Sequence, residues 1–353
     1  MRRKKGEGSI CFEKSCQLWR VAITGPNGKP VVKRFKHRED AVIWLAEKKV
    51  ELYKGTFTEP TKMTLHEWGV EFIKTYCSTL RPSSIADHLH SLGLMKPIYN
   101  IKLAELTVLA IQNFYNDLTC ASSTKVKVHR LLHTMLHKAY ALGAIPRDIA
   151  SLLEAPTQPK VQIDVFSEQE IKTILSYAKL NKPTWYPFLM LAFSSGMRLG
   201  ELLGLRYKNI HRGFVVVETT IIAVLGKIVE SPPKTSAGYR RVVLPTQITD
   251  LLGQGDPNAF VFATKSGRPI EPTNAERAWR ATLERAGVRH RNFHTIRHSH
   301  ASALIAKGVP IPEVASRLGH SKSSHTLNLY AHHIPTYDTQ MIEMVSNITP
   351  LIK

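Results

Sequence analysis

Two polar segments that contain prolines divide this chain of 353 residues into three stretches with different hydrophobic patterns. The segments are TEPTKMT at 58–64 and EAPTQPKVQID at 154–164. The first stretch has short β-branched and aromatic runs, the second has only helical periodicity, and the third mixes helices with short strands. The sequence therefore predicts a multidomain α+β protein with domains at 1–58, 62–156 and 165–353.

The first stretch predicts a small three-stranded sheet followed by one helix. GSICFE and QLWRVAIT are rich in strand-forming residues, and PVVKRF returns after the hairpin dipeptide Asn27-Gly28. An apolar face then runs along about residues 38–54. The second stretch predicts an all-helical domain, with a first helix that Thr64 can cap and later helices near 83–95, 107–118 and 122–142.

The third stretch predicts a mainly helical domain with a small antiparallel sheet. Ser167 and Glu170 match a capping box ahead of an apolar run. Three runs have the composition of strands: FVVVE at 214–218, GKIVE at 226–230 and RRVVLP at 240–245. Helices are predicted near 273–286, 294–307, 310–317 and 323–331.

The net charge of +20 indicates a polyanionic partner, with nucleic acid the leading candidate and an acidic membrane surface the second. No amphipathic segment supports the membrane alternative. The N-terminus has no apolar core of a signal peptide, and the apolar run PFLMLAF is too short to cross a bilayer. The four cysteines, which show no CxxC spacing, are Cys11, Cys16, Cys77 and Cys120. We therefore expect free thiols in a reducing cytoplasm.

Two groups of basic residues are candidate DNA contacts. On the predicted sheet they are Arg20, Lys33, Arg34 and Lys36, which could lie along a DNA groove. On the helix predicted at 122–142 they are Lys125, Lys127 and Arg130, in a stripe that also contains His129, His133, His137 and Lys138. For both groups an ordinary solvated basic surface is the alternative, and the overall charge favours phosphate binding on the helix.

SSGMRLGELLGL at 194–205 places an arginine at the start of a helix. Ser194, Ser195 and Gly196 interrupt one helix, and Arg198 begins the next with Glu201 on the same face. An arginine held in this way presents a fixed fork of donors to an oxyanion or a phosphate. A surface ion pair between the two side chains is the alternative.

FHTIRHSHASALIAKG at 293–308 offers a proton-transfer group beside a positive charge, because His294 and Arg297 share a helix face. His294 and His298 also have a spacing that zinc accepts. No glutamate follows His294, no third ligand is near, and the C-terminal half has no cysteine, so we expect neither a metal nor another cofactor. His298 and His300 are given no role.

LGHSKSSHTLNLYAHH at 318–333 combines a helix stop at Gly319 with four histidines and one tyrosine. Tyr330 is either a reactive group or a buried aromatic beside Leu327. Of the four histidines, His320 in LGH is the one that we include among the candidate site residues.

These motifs in this order resemble the tyrosine recombinases, and the chain is similar to phage-type or transposon-type integrases. The order is Arg198, a lysine in a β-turn, His294-x-x-Arg297, LGH at 318–320, and Tyr330 ten residues after the LGH histidine. The resemblance covers essentially the whole chain. It implies an arm-type DNA-binding domain at 1–58, a helical core-binding domain at 62–156, and a catalytic domain with a C-terminal helical tail at 165–353.

The resemblance also implies a role for each motif residue. Arg198 and Arg297 would clamp the scissile phosphate, and His294 would act as general acid or base. His320 would hydrogen-bond the same phosphate, and Tyr330 would be the nucleophile. Lys234 would protonate the leaving 5′ oxygen, although Lys227 in the preceding turn is an alternative. Glu201 would support the site without reacting.

The implied function is site-specific DNA recombination through a covalent 3′-phosphotyrosyl intermediate and a Holliday junction, without metal or ATP. Two guanidiniums can stabilise the charge that develops on the phosphate oxygens. The implied partners are double-stranded DNA with core and arm sites, a homotetramer on that DNA, a host DNA-bending protein and an excisionase. The expected location is the cytoplasm, at the nucleoid. A type IB topoisomerase and a non-catalytic DNA-binding regulator with this fold are the alternatives.

Overall fold

The computed structural model describes residues 8–26, 28–53, 61–159, 164–224, 226–233 and 235–320. Residue contacts divide the chain at about residue 160 into two compact units. The predicted helix at 323–331, with Tyr330, lies outside the described residues, as does Lys234. Within those residues, no helix has the length and apolar character that a membrane span requires. The division into three domains stays a prediction.

The first unit begins with the predicted sheet and helix. Strands β1 (Ser9–Glu13), β2 (Leu18–Thr24) and β3 (Pro30–Phe35) are antiparallel in chain order, and helix α1 (Arg38–Tyr53) follows. Val21 and Ile23 of β2 pack with Ala41 and Leu45 of α1 in a small core. The prediction of three strands and one helix is confirmed.

The strand register divides the basic residues of this sheet between its two faces. Arg20 lies opposite Arg34, on the face away from α1, because side chains alternate along a strand. The Glu13 carboxylate pairs with both of them, at 2.6 Å from Arg34 Nε and 3.4 Å from Arg20 Nε. Lys33 lies opposite Val21 on the helix side, with Nζ 5.1 Å from the Phe35 ring centroid. The outer face therefore carries two arginines that share one carboxylate.

A separate helical core follows in the same unit. Its helices are α2 (Leu65–Tyr76), α3 (Pro82–Leu94), α4 (Val108–Asp117) and α5 (Ser122–Ala141). Thr64 caps α2 through a capping box with Glu67, as predicted for the cap. Trp68 donates from Nε1 to Met135 O at 2.9 Å and joins α2 to α5.

In its described residues, the second unit contains seven α-helices and two 3-10 turns around two small sheets. The helices are α6 (Glu168–Asn181), α7 (Tyr186–Ser195), α8 (Leu199–Leu203), α9 (Thr246–Leu251), α10 (Pro272–Arg285), α11 (His294–Ala306) and α12 (Ile311–Leu318), with 3-10 turns at Tyr207–Asn209 and Ser236–Gly238. The strands are β4 (Ile210–His211), β5 (Phe214–Val217), β6 (Thr220–Val224), β7 (Lys227–Ser231) and β8 (Arg240–Val243). The sheets are β4-β5-β8 and the hairpin β6-β7, both antiparallel.

Two of these strands were not predicted. β4 has only two residues, which is too short for a pattern. β6 follows β5 after only Glu218 and Thr219, so the strand-forming residues from 214 to 224 resemble one strand although the two halves belong to different sheets. The core beneath the sheets includes Phe293, whose ring centroid lies 5.6 Å from that of Phe188 and 5.6 Å from that of Trp279.

Candidate active site

A buried arginine joins two helix ends in the second unit. Arg297 of α11 is 2% exposed, and it donates from Nη1 to Gly196 O at 3.0 Å and from Nη2 to Leu318 O at 2.6 Å. Gly196 ends α7 and Gly319 ends α12, both in the left-handed conformation. The carbonyls at a helix C-terminus carry partial negative charge, which favours a cation there. Arg297 therefore fixes the turn before Arg198 and the turn before His320.

A buried glutamate holds the first predicted site arginine. Glu201 is 3% exposed. Its Oε2 accepts from the Arg198 backbone N at 2.9 Å, and its Oε1 accepts from Arg198 Nη1 at 2.8 Å. The Arg198 side chain is 40% exposed, and its Nη2 lies 3.4 Å from Gly319 O. The interaction is therefore not a surface ion pair, because the carboxylate is buried and orients a guanidinium that remains accessible.

A second arginine completes the surroundings of this carboxylate. Arg240 of β8 donates from Nη1 to Glu201 Oε1 at 3.1 Å and from Nη2 to Oε2 at 2.8 Å. Burial raises the pKa of Glu201, but the hydrogen bonds and charge of Arg240, followed by the charge of Arg198, lower it to about 2. Glu201 is therefore a carboxylate at neutral pH.

His294 begins α11 and lines a cavity of about 310 Å³ with Arg198. Burial lowers its pKa, and so do the charges of His298, Arg297 and Arg198, so that the pKa is about 4 despite the opposing effect of Glu201. Its ring lies 4.8 Å from that of His298, edge to face. In the described parts of the chain, no group of three or more His, Cys, Asp or Glu residues could hold a metal. His294 is a neutral imidazole at pH 7, which can accept a proton.

His320 directly follows the left-handed Gly319, and its backbone N donates to Ala315 O at 2.9 Å. The carbonyls of the two preceding residues accept from Arg297 and Arg198. The structure thus brings together Arg198, Glu201, His294, Arg297 and the backbone that leads into His320.

Sequence reasoning missed a second polar cluster behind this site. Arg317 donates from Nε to His300 Nε2 at 3.0 Å and from Nη2 to Ser194 O at 3.0 Å. His300 Nδ1 lies 2.9 Å from Phe193 O, so His300 carries its proton on Nδ1. Burial and the nearby Arg317 charge lower the pKa of His300 to about 4. His300, which had no assigned role, therefore connects the end of α7 with α12.

Arg240 was also missed, although one signal in the sequence indicates its position. It lies two residues before Val242, which is fully buried, so strand alternation places both side chains on the inner face. The adjacent Arg241 lies on the outer face, with its guanidinium carbon 3.6 Å from the Phe214 ring centroid. The pattern RRVVLP was interpreted only as a strand.

Two of the three candidate DNA contacts on α5 have local partners. Lys125 donates from Nζ to Tyr115 O at 3.2 Å, Lys127 pairs with Asp87 at 3.2 Å, and Arg130 is exposed. His129 departs from the predicted basic stripe because it is 9% exposed, with Nδ1 3.2 Å from the Tyr115 hydroxyl. The basic face of α5 is therefore narrower than the sequence predicts.

Comparison with known proteins identifies relatives of the chain. A model described as the phage integrase family matches residues 164–336. The chain is 27% identical to a "Tyrosine recombinase XerC-like" protein of Caldanaerobacter subterraneus subsp. tengcongensis, over 94% of this chain and 96% of that protein. It is 23% identical to the putative prophage phiRv2 integrase of Mycobacterium tuberculosis, over 94% and 92%.

Solved structures share the fold. The Tn1549 transposon integrase in complex with a circular intermediate DNA has a TM-score of 0.68 at 17% identity, covering 80% of this chain and 98% of that one. A lambda integrase tetramer bound to a Holliday junction has a TM-score of 0.61 at 18% identity, covering 96% and 99%. The multidomain α+β fold predicted from the sequence is confirmed.

Replacement of the buried carboxylate, Glu201→Gln, should lower the free energy of unfolding of the second unit by about 3 kcal/mol, because two guanidiniums lose their anion. The pKa is depressed from 4.5 to about 2, so this stabilisation is present above pH 4.5 and is lost as the pH falls toward 2. Urea unfolding, monitored through the hydrogen exchange of backbone amides in 186–318, measures the change in the free energy of unfolding. Glu284→Gln, on the exposed face of α10, is the matched control. A loss no larger than that of the control would contradict the assignment.

His294 should remain neutral down to about pH 4 in the protein without DNA. A depressed histidine pKa favours the neutral form in the fold, so the stability contribution is complete above pH 6.5 and declines as the pH falls to 4. A titration of the imidazole resonances by NMR, assigned with His294→Gln, gives the midpoint. A midpoint at or above pH 6 would show that burial and the neighbouring cations do not act on this ring.

Proposed function

The chain belongs to the phage integrase family of tyrosine recombinases, and we propose on this premise how it recombines DNA at specific sites. It cuts and rejoins double-stranded DNA through a covalent 3′-phosphotyrosyl intermediate and a Holliday junction. The observation that carries the proposal is the convergence of Arg198, Arg297 and His294 with the backbone leading into His320. These segments lie 121 and 101 residues apart in sequence at the bonds that join them.

In the proposed reaction, the two arginines stabilise the negative charge on the non-bridging oxygens of the scissile phosphate. Arg198 is suited to direct contact because Glu201 orients it and its side chain remains partly exposed. Arg297 contributes a buried charge beside the same turn, where low effective dielectric strengthens its field. His320 donates a further hydrogen bond to the phosphate. This arrangement supplies the charge stabilisation from protein cations.

Two proton transfers accompany the cleavage. A tyrosine phenol has a pKa near 10, so Tyr330 needs a proton acceptor as its Oη attacks phosphorus. His294 serves because it is neutral at pH 7 and lies within the electrostatic influence of both arginines. As the bond from phosphorus to the 5′ oxygen breaks, that oxygen takes a proton from a lysine, and rejoining reverses both transfers.

We assign the lysine role to Lys234 in preference to Lys227. Lys227 is the first residue of β7, opposite Val224 in the hairpin, and its side chain is exposed. Lys234 belongs to the connection between β7 and β8, and residues of that connection contact the segment that precedes His320. This contact of the Lys234 connection with the segment before His320 supports the choice of Lys234 over Lys227.

The assembly and partners are proposed by analogy with the relatives. One solved relative is a lambda integrase tetramer bound to a Holliday junction, and a homotetramer on DNA is proposed here. Arg20 and Arg34 on the outer face of the first sheet would contact arm-type sites, together with Lys33 on the other face of β3 and Lys36, which directly follows β3. Lys125, Lys127 and Arg130 on α5 would contact core sites. A host DNA-bending protein and an excisionase would assist, in the cytoplasm at the nucleoid.

Tyr330→Phe should bind its DNA site as wild type does and form no covalent adduct, because the attacking oxygen is removed. The adduct is trapped on a nicked suicide substrate, in EDTA, and resolved by denaturing electrophoresis. Tyr337→Phe, seven residues along the chain, is the control and should retain adduct formation. An adduct from Tyr330→Phe would refute the assignment, and a loss of wild-type activity in EDTA that zinc restores would favour a metal site.

A further inference from the structure

We propose that Arg240 is a positioning residue that holds three parts of the active site in register: the Lys234 connection, Arg198, and the segment before His320. The inference rests on the proposed function. The side chain of Arg240 is 6% exposed, and its guanidinium makes four hydrogen bonds. They run from Nε to Arg317 O at 2.7 Å, from Nη1 to Glu201 Oε1 at 3.1 Å and Gly238 O at 3.2 Å, and from Nη2 to Glu201 Oε2 at 2.8 Å.

The first of these parts that we consider is Arg198, whose side chain is partly exposed. Glu201 accepts from both Nη atoms of Arg240 and, on the same two oxygens, from the backbone N and Nη1 of Arg198. Arg240 therefore contacts Arg198 only through the carboxylate between them. Without the Arg240 cation, Glu201 would keep its burial but lose the contribution that lowers its pKa most. Its hold on Arg198 would weaken accordingly.

The second part is the connection between β7 and β8, in which the described residues flank Lys234. Gly238 N donates to Thr235 O at 2.8 Å and Tyr239 N donates to Ser236 O at 3.0 Å, so the chain closes into a turn. Gly238 packs so closely on Pro233 that a Cβ at residue 238 would collide with the proline ring. Pro233 and Gly238, on either side of Lys234 in sequence, are thus in close contact. Arg240 donates to the Gly238 carbonyl at the end of this turn.

The third part is the end of α12. Arg240 Nε bonds Arg317 O in the last turn of this helix. A Cβ at Gly319 would lie 2.8 Å from Ala237 O and 3.0 Å from Arg240 Nη1, and the residue has a φ of 69°. Only glycine accommodates both this conformation and this contact at low cost. The turn after Lys234 and the residue before His320 therefore touch at Arg240.

An arginine is required for this arrangement because its planar guanidinium presents donors in several fixed directions. A lysine at residue 240 would keep the charge and could serve one acceptor well, but not a carboxylate and two carbonyls together. Arg241 offers a matched control on the same strand. It faces outward over the Phe214 ring, opposite Val216, and none of its side-chain hydrogen bonds in the described structure reaches the three segments.

The test compares two DNA substrates in single-turnover cleavage by the full chain. One is an ordinary nicked suicide substrate, and in the other the bridging 5′ oxygen is replaced by sulfur. When Tyr330 Oη bonds to phosphorus, an oxygen leaving group needs a proton from Lys234, whereas a thiolate departs as a stable anion without one. The ratio of the sulfur rate to the oxygen rate therefore reports the placement of the lysine. Because both rates come from one preparation, a lower folded fraction leaves the ratio unchanged.

For Arg240→Lys we expect the oxygen rate to fall about 100-fold, as for a misplacement of about 1 Å, and the sulfur rate to fall about 10-fold. The rate ratio should therefore rise about 10-fold. DNA affinity should remain within about 3-fold of wild type, because Arg240 is buried. Arg241→Lys should leave both rates and their ratio within about 3-fold of wild type, and Lys234→Ala should show the same preference for sulfur.

Wild-type rates for Arg240→Lys, or an equal fall on both substrates, would overturn the inference while leaving the proposed function intact. An absence of sulfur preference in Lys234→Ala would also overturn it, since the acid would then lie elsewhere. If wild-type protein forms no adduct on either substrate, the proposed function itself fails.

Arg240→Gln, which keeps side-chain donors without the charge, is the second variant and should show the same rise in the rate ratio.

Discussion

The buried carboxylate of Glu201 is the interaction on which the rest of the candidate site depends. An ionised carboxylate in an apolar core is costly unless cations and hydrogen bonds compensate for the lost water. Here Arg240 and Arg198 provide that compensation, and the pKa of Glu201 falls to about 2 although burial alone would raise it. The same contacts fix the orientation of Arg198, so the cost of burying the charge is linked to the placement of a reactive group.

Arg297 solves a related problem with backbone groups in place of a carboxylate. Its guanidinium donates to the carbonyls of Gly196 and Leu318, at the C-terminal ends of α7 and α12. Those ends carry partial negative charge, which offsets part of the desolvation of a buried cation. Burial of the ring, reinforced by the charges of His298, Arg297 and Arg198, lowers the pKa of His294 and keeps it neutral. A neutral histidine beside two cations suits a reaction that brings an anionic phosphate to the site and removes a proton from a phenol.

The sequence alone predicts those features that depend on local patterns. Strand composition, the capping box at Ser167 and Glu170, the helix end at Gly319 and the shared face of His294 and Arg297 are set by neighbours within a few residues, and the structure contains each of them. The order of the reactive residue types was sufficient to indicate the family.

What the sequence did not predict depends on contacts between distant residues. Arg240 meets Glu201 across 39 positions, and Arg317 meets His300 across 17, so no local pattern announces either pair. The side of the sheet on which Lys33 lies follows from strand register, which the hairpin turn and the packing of α1 determine. Strand β6 was hidden because it adjoins β5 in sequence while pairing in another sheet.

The central claim is that these clusters serve a covalent reaction at one tyrosine, and mapping the DNA attachment point tests it most directly. The adduct trapped on a suicide substrate is digested with protease and nuclease, and the modified peptide is sequenced by mass spectrometry. We expect a 3′-phosphonucleotide on Tyr330 Oη. Attachment to any other residue, or through a 5′-phosphate, would contradict it.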